Sequence, residues 1–346
     1  MTGNRFFTIK TFKKCLMIFC MAALFSFAFT SCSKSDSLSF KAMDTFMTVK
    51  SFGKNPSKAN ELLKEKIIQI ENFISVTNEE SDVYKLNHAE KFPLSVDYNT
   101  ILPLAISLNF AEKTDGALNP CLYPITKEWG FTTGNYRVPD EKTIQELLPV
   151  TDYKKIKIKD NLVWMDEGMM IDLGATGKGF AGDQGIAVLK ANGIKSAILD
   201  FGGNVQCLGS KADGSDWTVG IKNPWQDGIV ASVKISNMAV ITSGGYERYF
   251  IGDDGKKYIH IFDPKSGKPV ENNILSTTII SPHGIYADAL STATFVMGKE
   301  KSIELYKSEG DFEMIMIFDD HSILITKGLE GKFSLSDPSL SYEVVE

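Results

Sequence analysis

Three segments of this chain carry residue types at spacings that can do chemistry. The first is Asp172-Leu-Gly174-Ala175-Thr176-Gly177-Lys178-Gly179, where glycines hand a strand over to a helix with a lysine at its start. Free N–H groups and the helix dipole at such a point favour anions, and glycines let a phosphate approach the backbone. The spacing is neither that of a Walker loop nor that of the dinucleotide fingerprint. A tight turn packed for steric reasons has the same composition. The second segment is Asp288-Ala-Leu-Ser291-Thr292. Asp288 and Thr292 lie four apart, so on a helix their oxygens share one face. A carboxylate and a hydroxyl are hard ligands suited to Mg2+, which usually keeps substrate phosphates in its shell. A capping Asp followed by a filler Thr is the competing reading. The third is His260, inside Lys257-Tyr-Ile-His260-Ile-Phe-Asp263. Strand alternation puts Tyr258, His260 and Phe262 on one face, and a near-neutral imidazole there can act as general base toward a hydroxyl or serve as a core histidine. His88, His283 and His321 form no metal-ligand spacing with it.

The elements that must position these residues alternate between helix and strand. Phe40 to Phe52 reads as one strand. Ser57 suits the N-cap of a helix with the stripe Leu63, Ile67, Ile70 and Ile74. A second helix spans about Thr100 to Lys113 with Pro103 near its start. Residues 119–140 hold Pro120, Pro124, Gly130, Gly134 and Pro139, which predicts a long structured loop with little repetitive structure. Leu162 to Leu173 reads as strand or hairpin, Gly179 to Ala191 as helix and Ser196 to Phe201 as strand. Tyr246 to Ile251 and Lys257 to Phe262 flank Gly252-Asp253-Asp254-Gly255 as a hairpin. A helix from about Tyr286 to Met297 separates it from a second hairpin around Asp319-Asp320-His321. The expected class is α+β, two-lobed, with mixed or antiparallel sheets and packed helices.

Composition narrows the function. The chain has 346 residues, 43% apolar and 23% charged, which excludes disorder and suffices for a packed core without disulfides. Lys and Arg number 37 against 43 Asp and Glu, a net charge of −6, and no basic stripe points to nucleic acid. The N-terminus has a basic stretch, Arg5, Lys10, Lys13 and Lys14, then an apolar run from Leu16 to Phe29. That run has the length of a signal-peptide core and is brief for a bilayer span. It ends Phe29-Thr-Ser-Cys32, which resembles a loose bacterial lipobox. The resemblance implies a signal peptide over 1–31 and a lipidated Cys32 on a polar tether, 32–39. One folded domain, 40–346, would follow. Removing residues 1–31 leaves 33 basic against 43 acidic residues, a net of −10. Cys121 and Cys207 permit one disulfide without predicting it.

The three segments recur in one order with further signatures. These are Met43-Asp-Thr45, Ser75 to Asn87, Asp115-Gly-Ala-Leu-Asn-Pro120, Trp129-Gly-Phe131, Phe201-Gly-Gly203, Trp217 to Pro224, Thr242-Ser-Gly244, Tyr246-Glu-Arg248 and His260 to Gly267. Together, over about residues 40–335, they resemble the ApbE family of FAD:protein FMN transferases. The resemblance implies FAD as substrate, bound between two lobes of a single domain. It implies Mg2+-dependent transfer of FMN to a threonine or serine hydroxyl of a partner redox protein in an electron-transfer system, releasing AMP. It also implies a lipid anchor in the bacterial cell envelope, facing the periplasm. By position, Met43, Ala117, Leu118, Asn119, Asp172, Lys178 and Ser243 match flavin-nucleotide contacts. Ala175 (through its carbonyl), Asp288 and Thr292 match metal ligands, and His260 matches the base. Thr77 stands where many members carry an aromatic residue. An FAD pyrophosphatase, or a non-enzymatic periplasmic FAD-binding lipoprotein, would share most of these residues.

Overall fold

The computed structural model describes residues 34–346; the expected signal peptide and Cys32 lie outside them. Among the described residues, no helix is long and apolar enough to cross a membrane. The centre is a nine-stranded sheet whose spatial order follows chain order. Its strands are β1 (Lys34–Ala42), β2 (Thr45–Gly53), β3 (Ser196–Phe201), β4 (Asn204–Leu208) and β5 (Ala239–Gly244). They continue as β6 (Ile274–Ser281), β7 (Glu313–Phe318), β8 (Ile323–Thr326) and β9 (Glu343–Val345). Neighbours from β2 to β8 run antiparallel, and β9 joins β8 in parallel. The class is α+β.

Alternation along the central strands builds two cores at once, because successive side chains leave opposite faces. Val240, Ile280, Ile315 and Ile317 face a three-stranded sheet made of Trp217–Lys222, Ile229–Ile235 and Phe333–Leu335. Ile241, Ile279, Met314 and Met316 face the helices instead. The helices that matter are α1 (Pro56–Ile74), α2 (Tyr98–Lys113), α3 (Gly174–Ala191) and α4 (Gly284–Met297). α4 lies on β5 and β6, α3 packs against α4, and α1 packs against α3. Leu63, Ile67 and Ile70 of α1 meet Val49 and Leu199 of the sheet in one buried cluster. A further core gathers Val83, Leu104, Cys121, Val163 and Ile171.

Several elements differ from the sequence reading. Phe40 to Phe52 is not one strand but parts of β1 and β2, joined through Met43 and Asp44 at φ 49° and 58°. Such a turn is normally announced by Asn-Gly or Gly-Gly, and Met-Asp gives no such signal. Residues 34–39, expected as tether, belong to β1. The first long helix starts after Asn55 with Pro56 at its opening, not at a Ser57 cap. Within 119–140, Tyr123–Glu128 is helical. Leu162–Trp164 is the only strand in its stretch, and α3 begins at Gly174, five residues before the expected start. Cys121 and Cys207 are free thiols buried in different cores, and burial pushes Cys207 up to about 12.

Candidate active site

The glycine-rich segment is the opening of α3 itself. Glycine is a poor helix former, so its repetition here needs a packing reason, and α4 supplies one. A Cβ on Gly179 would stand 2.2 Å from the Gly284 carbonyl oxygen and 2.7 Å from the Asp288 Cβ. One on Gly284 would meet the Gln206 side chain at 1.7 Å. The two helices cross with backbone nearly on backbone, which sets Asp288 against the α3 entrance.

The polar contacts at this crossing are reciprocal. From α3, Asp183 accepts the Gly284 N–H at 2.7 Å and the Ile285 N–H at 2.9 Å, capping α4. From α4, Asp288 Oδ2 accepts the Gly179 N–H at 2.8 Å. The ordinary helical acceptor of that N–H, four residues back, is the Ala175 carbonyl. Strand β4 closes the cluster: Asn204 Nδ2 donates to Asp288 Oδ1 at 2.9 Å, and Gln206 Nε2 donates to the Gly179 carbonyl at 3.0 Å.

Asp288 is only 5% exposed, and burial pushes its pKa up. The Lys178 charge, the N–H groups of Gly179 and Lys178 and the Asn204 amide pull it back down. Its direct hydrogen-bond partners are neutral. One helical turn on, Ser243 Oγ lies 3.3 Å from Thr292 Oγ1 and 2.8 Å from Ser291 Oγ. Lys178 and Gly179 thus border Asp288, Ser243 borders Thr292 one turn along α4, and Ala175 lies in the first turn of the same α3.

A second group approaches from the other side. Asp172 Oδ1 accepts the Gly174 N–H at 2.8 Å, and its own N–H donates to the Pro120 carbonyl at 2.8 Å. That ties the Ala117–Pro120 segment to the α3 entrance. Burial pushes the Asp172 carboxyl up, opposed by the Gly174 N–H and the Arg248 charge. Within the segment, Leu118 is buried, while the Asn119 side chain donates to the Thr151 carbonyl and accepts the Cys121 N–H. Asn119 therefore shapes its loop with both ends of its amide. Met43 borders the α1–α3 core together with Tyr286, and its N–H donates to Glu71. No hydrogen bond joins it to the cluster among the described residues. Thr77 is exposed and bonds locally to Ser75.

His260 follows directly on strand Lys257–Ile259, which pairs with Tyr249–Ile251. Its backbone N–H and its Nδ1 both meet the Arg248 carbonyl, each at 3.1 Å. A carbonyl only accepts, so Nδ1 carries the proton in this bond and Nε2 is the bare nitrogen of the neutral ring. Burial first, then the Arg248 and Lys178 charges, push the imidazole down to about 4. Half-buried, the ring lies 6.4 Å from Phe131, within an aromatic group that includes Trp129, Tyr136, Phe250, Tyr258 and Phe262. Arg248 donates to the Phe131 carbonyl at 2.6 Å, fastening the His260 segment to that group.

Sequence reasoning passed over Asp183, Asn204, Gln206 and Arg248 as individual site residues. Asn204 and Gln206 did leave a signal: they alternate along one short strand, so two amides share a face that would otherwise be apolar.

Comparison with known proteins gives the family of the chain and relatives of its fold. The ApbE family model matches residues 43–316. An FAD:protein FMN transferase of Treponema pallidum is 32% identical, covering 85% of this chain and 87% of its own. One from Klebsiella pneumoniae is 30% identical, covering 83% and 91%. The crystal structure of the ApbE protein of Thermotoga maritima matches with a TM-score of 0.81 at 31% identity, over 86% of this chain and 99% of that one. The apo flavinyl transferase ApbE of Pseudomonas stutzeri matches at 0.75 and 27%, over 83% and 92%.

Proposed function

The chain belongs to the ApbE family, and from that membership we infer that it is a flavin transferase moving FMN from FAD onto a protein. We further propose that the acceptor group is a threonine or serine hydroxyl of an electron-transfer protein, that AMP leaves, and that Mg2+ is required. The observation that carries the metal proposal is Asp288: a buried carboxylate held by neutral donors, with acceptor capacity left over, one helical turn before Thr292 and set by Gly179 against the helix that opens with Gly174-Ala175. Such a buried charge is costly, and a cation joining it offsets the cost. Three hard oxygens suit a cation that completes its shell with phosphate and water. When bound there, Mg2+ would neutralise phosphoryl charge as it develops.

The chain's own residues supply the rest. Lys178 and the opening N–H groups of α3 favour the diphosphate of FAD by charge and dipole. His260 Nε2 takes the proton of the acceptor hydroxyl while Arg248 holds the ring through Nδ1. The hydroxyl oxygen forms its bond to the FMN phosphorus as the bond from that phosphorus to the bridging oxygen breaks. AMP departs with that oxygen and its electron pair. Positioning and charge neutralisation carry most of such a phosphoryl transfer.

We propose in addition a lipoprotein anchored through Cys32 and facing the periplasm, on the strength of the basic stretch, the apolar run and the lipobox-like Phe29-Thr-Ser-Cys32. Incubation with FAD, Mg2+ and a threonine-bearing acceptor domain, followed by intact-mass analysis, tests the chemistry. A mass gain of one FMN on the acceptor with AMP in solution is expected. Free FMN and AMP regardless of acceptor would identify an FAD pyrophosphatase instead.

A further inference from the structure

We propose that Asn204 is a positioning residue for Asp288, orienting its carboxylate toward the cation that Ala175, Asp288 and Thr292 would share; this rests on the metal reading above. Asn204 is 3% exposed and opens β4 directly after the Gly202-Gly203 turn, paired in register with Phe201. That hairpin makes its place in the sheet stiff. A carboxylate held by one hydrogen bond can still rotate about its Cβ–Cγ bond. Asp288 is held by two donors from two different elements, the Gly179 N–H of α3 and the Asn204 amide of β4. Rotation would break one or both, and the remaining lone pairs keep one direction.

The chemical type of the donor matters as much as its place. A lysine or arginine here would neutralise Asp288 and compete with a metal ion. An aspartate would repel it. An uncharged amide orients the group and leaves its charge available. Two positions along the same face, Gln206 holds the carbonyl of Gly179, the residue whose N–H binds Asp288. The two β4 amides therefore hold both the carboxylate and the glycine it leans on. Such supporting partners typically matter 10–100-fold in metal affinity.

Mn2+ binding by electron paramagnetic resonance, without turnover, tests the proposal on the whole chain with two opposed variants. Asn204→Leu keeps the bulk and loses the donor; Asn204→Ser keeps a hydroxyl, one bond short of the amide nitrogen, and leaves space for a water to carry the hydrogen bond to Asp288. The expected result is Mn2+ affinity lowered roughly 10–100-fold in Asn204→Leu and much closer to wild type in Asn204→Ser. With Mg2+ in turnover, Asn204→Leu should raise the apparent KM for the metal and leave kcat at saturating metal nearly intact. Melting temperatures check folding, and Asn204→Ala carries the donor-free arm should Asn204→Leu not fold. Unchanged Mn2+ affinity, or weaker binding in Asn204→Ser than in Asn204→Leu, overturns the role of Asn204. Asp288→Asn separates the two levels. If it leaves Mn2+ affinity unchanged, the metal reading falls and the positioning role falls with it. If it abolishes binding while Asn204→Leu leaves affinity unchanged, only the role of Asn204 is lost.

Discussion

The α3–α4 crossing and the arm that carries His260 are built on opposite principles. At the crossing, two helices touch through glycine backbone, and buried side chains hydrogen-bond to peptide groups and to one another. In the arm, short two-stranded ribbons are held by stacked and edge-on rings, with Tyr136 on Phe250 at 5.2 Å and Phe131 against Phe262 at 5.7 Å. Close-packed backbone has no room to yield, whereas an aromatic cluster loses one ring at a time. A place for charge neutralisation needs fixed oxygens. A base that must meet a hydroxyl arriving on another protein needs only orientation, and one carbonyl, that of Arg248, supplies it.

The largest effects should therefore come from the crossing. In Gly179→Ala the new methyl meets the Gly284 carbonyl, a backbone atom that cannot swing aside. A loss of ~3 kcal/mol or more is expected from such overpacking, read by urea denaturation, together with loss of transfer. A fully stable Gly179→Ala enzyme would mean that the helices separate easily and the contrast is wrong. Asp288→Asn should leave the fold intact yet lower transfer roughly 10³-fold, the scale of losing several kcal/mol of metal-centred stabilisation. Thr292→Val should do less, since a neutral hydroxyl contributes less charge.

Next comes His260. His260→Ala should lower transfer by roughly 10²–10⁴-fold, the usual general-base contribution, with FAD affinity retained in fluorescence titration. Near-normal turnover would make it a structural residue. Its pH behaviour sharpens the point. The folded pKa of about 4 lies below the ordinary imidazole value of 6.5, so the unfolded chain binds the proton first as pH falls. The associated stability is present above 6.5 and lost as pH drops through about 4. His260→Gln should flatten that part of a melting-temperature profile. Bound FAD would bring negative charge beside Lys178 and Arg248, so the acid limb of kcat should sit above that of kcat/KM. Coincident limbs would remove the diphosphate from that neighbourhood.

The same contrast explains what could be read from sequence. The stripe Leu63, Ile67, Ile70 is a periodic signal and Ser196 to Phe201 an apolar run closed by glycines, and they place a helix and a sheet strand correctly. Asp288 and Thr292 stand out because a polar pair on an apolar helix is costly without a purpose. The start of α3 could not be read, because the glycines that permit the crossing argue locally against helix. Asp183 and Arg248 could not be read either: each is an ordinary charged residue until the fold turns it toward a backbone group more than a hundred residues away. Met43-Asp44 hid a hairpin for a similar reason, since left-handed backbone at both positions is imposed by the pairing strands and not announced by residue type.

The smallest expected effect lies at the outer edge of the aromatic arm. Tyr136 is 45% exposed, stacks on Phe250 and meets Phe131 edge-on at 5.3 Å. Phe131 in turn neighbours His260, and its carbonyl holds Arg248. Tyr136→Ser removes two ring contacts and leaves every hydrogen bond of His260 in place. Ring pairs contribute about 0.5–1.5 kcal/mol beyond burial, so the melting temperature should fall by about 2–4 °C and transfer by no more than about threefold, since one kcal/mol is about fivefold. A loss beyond tenfold with little change in melting would show that Tyr136 meets a substrate directly. In that case the arm would be a binding surface as well as a support, and the division between a rigid charge site and a tolerant scaffold would have to be redrawn around this ring.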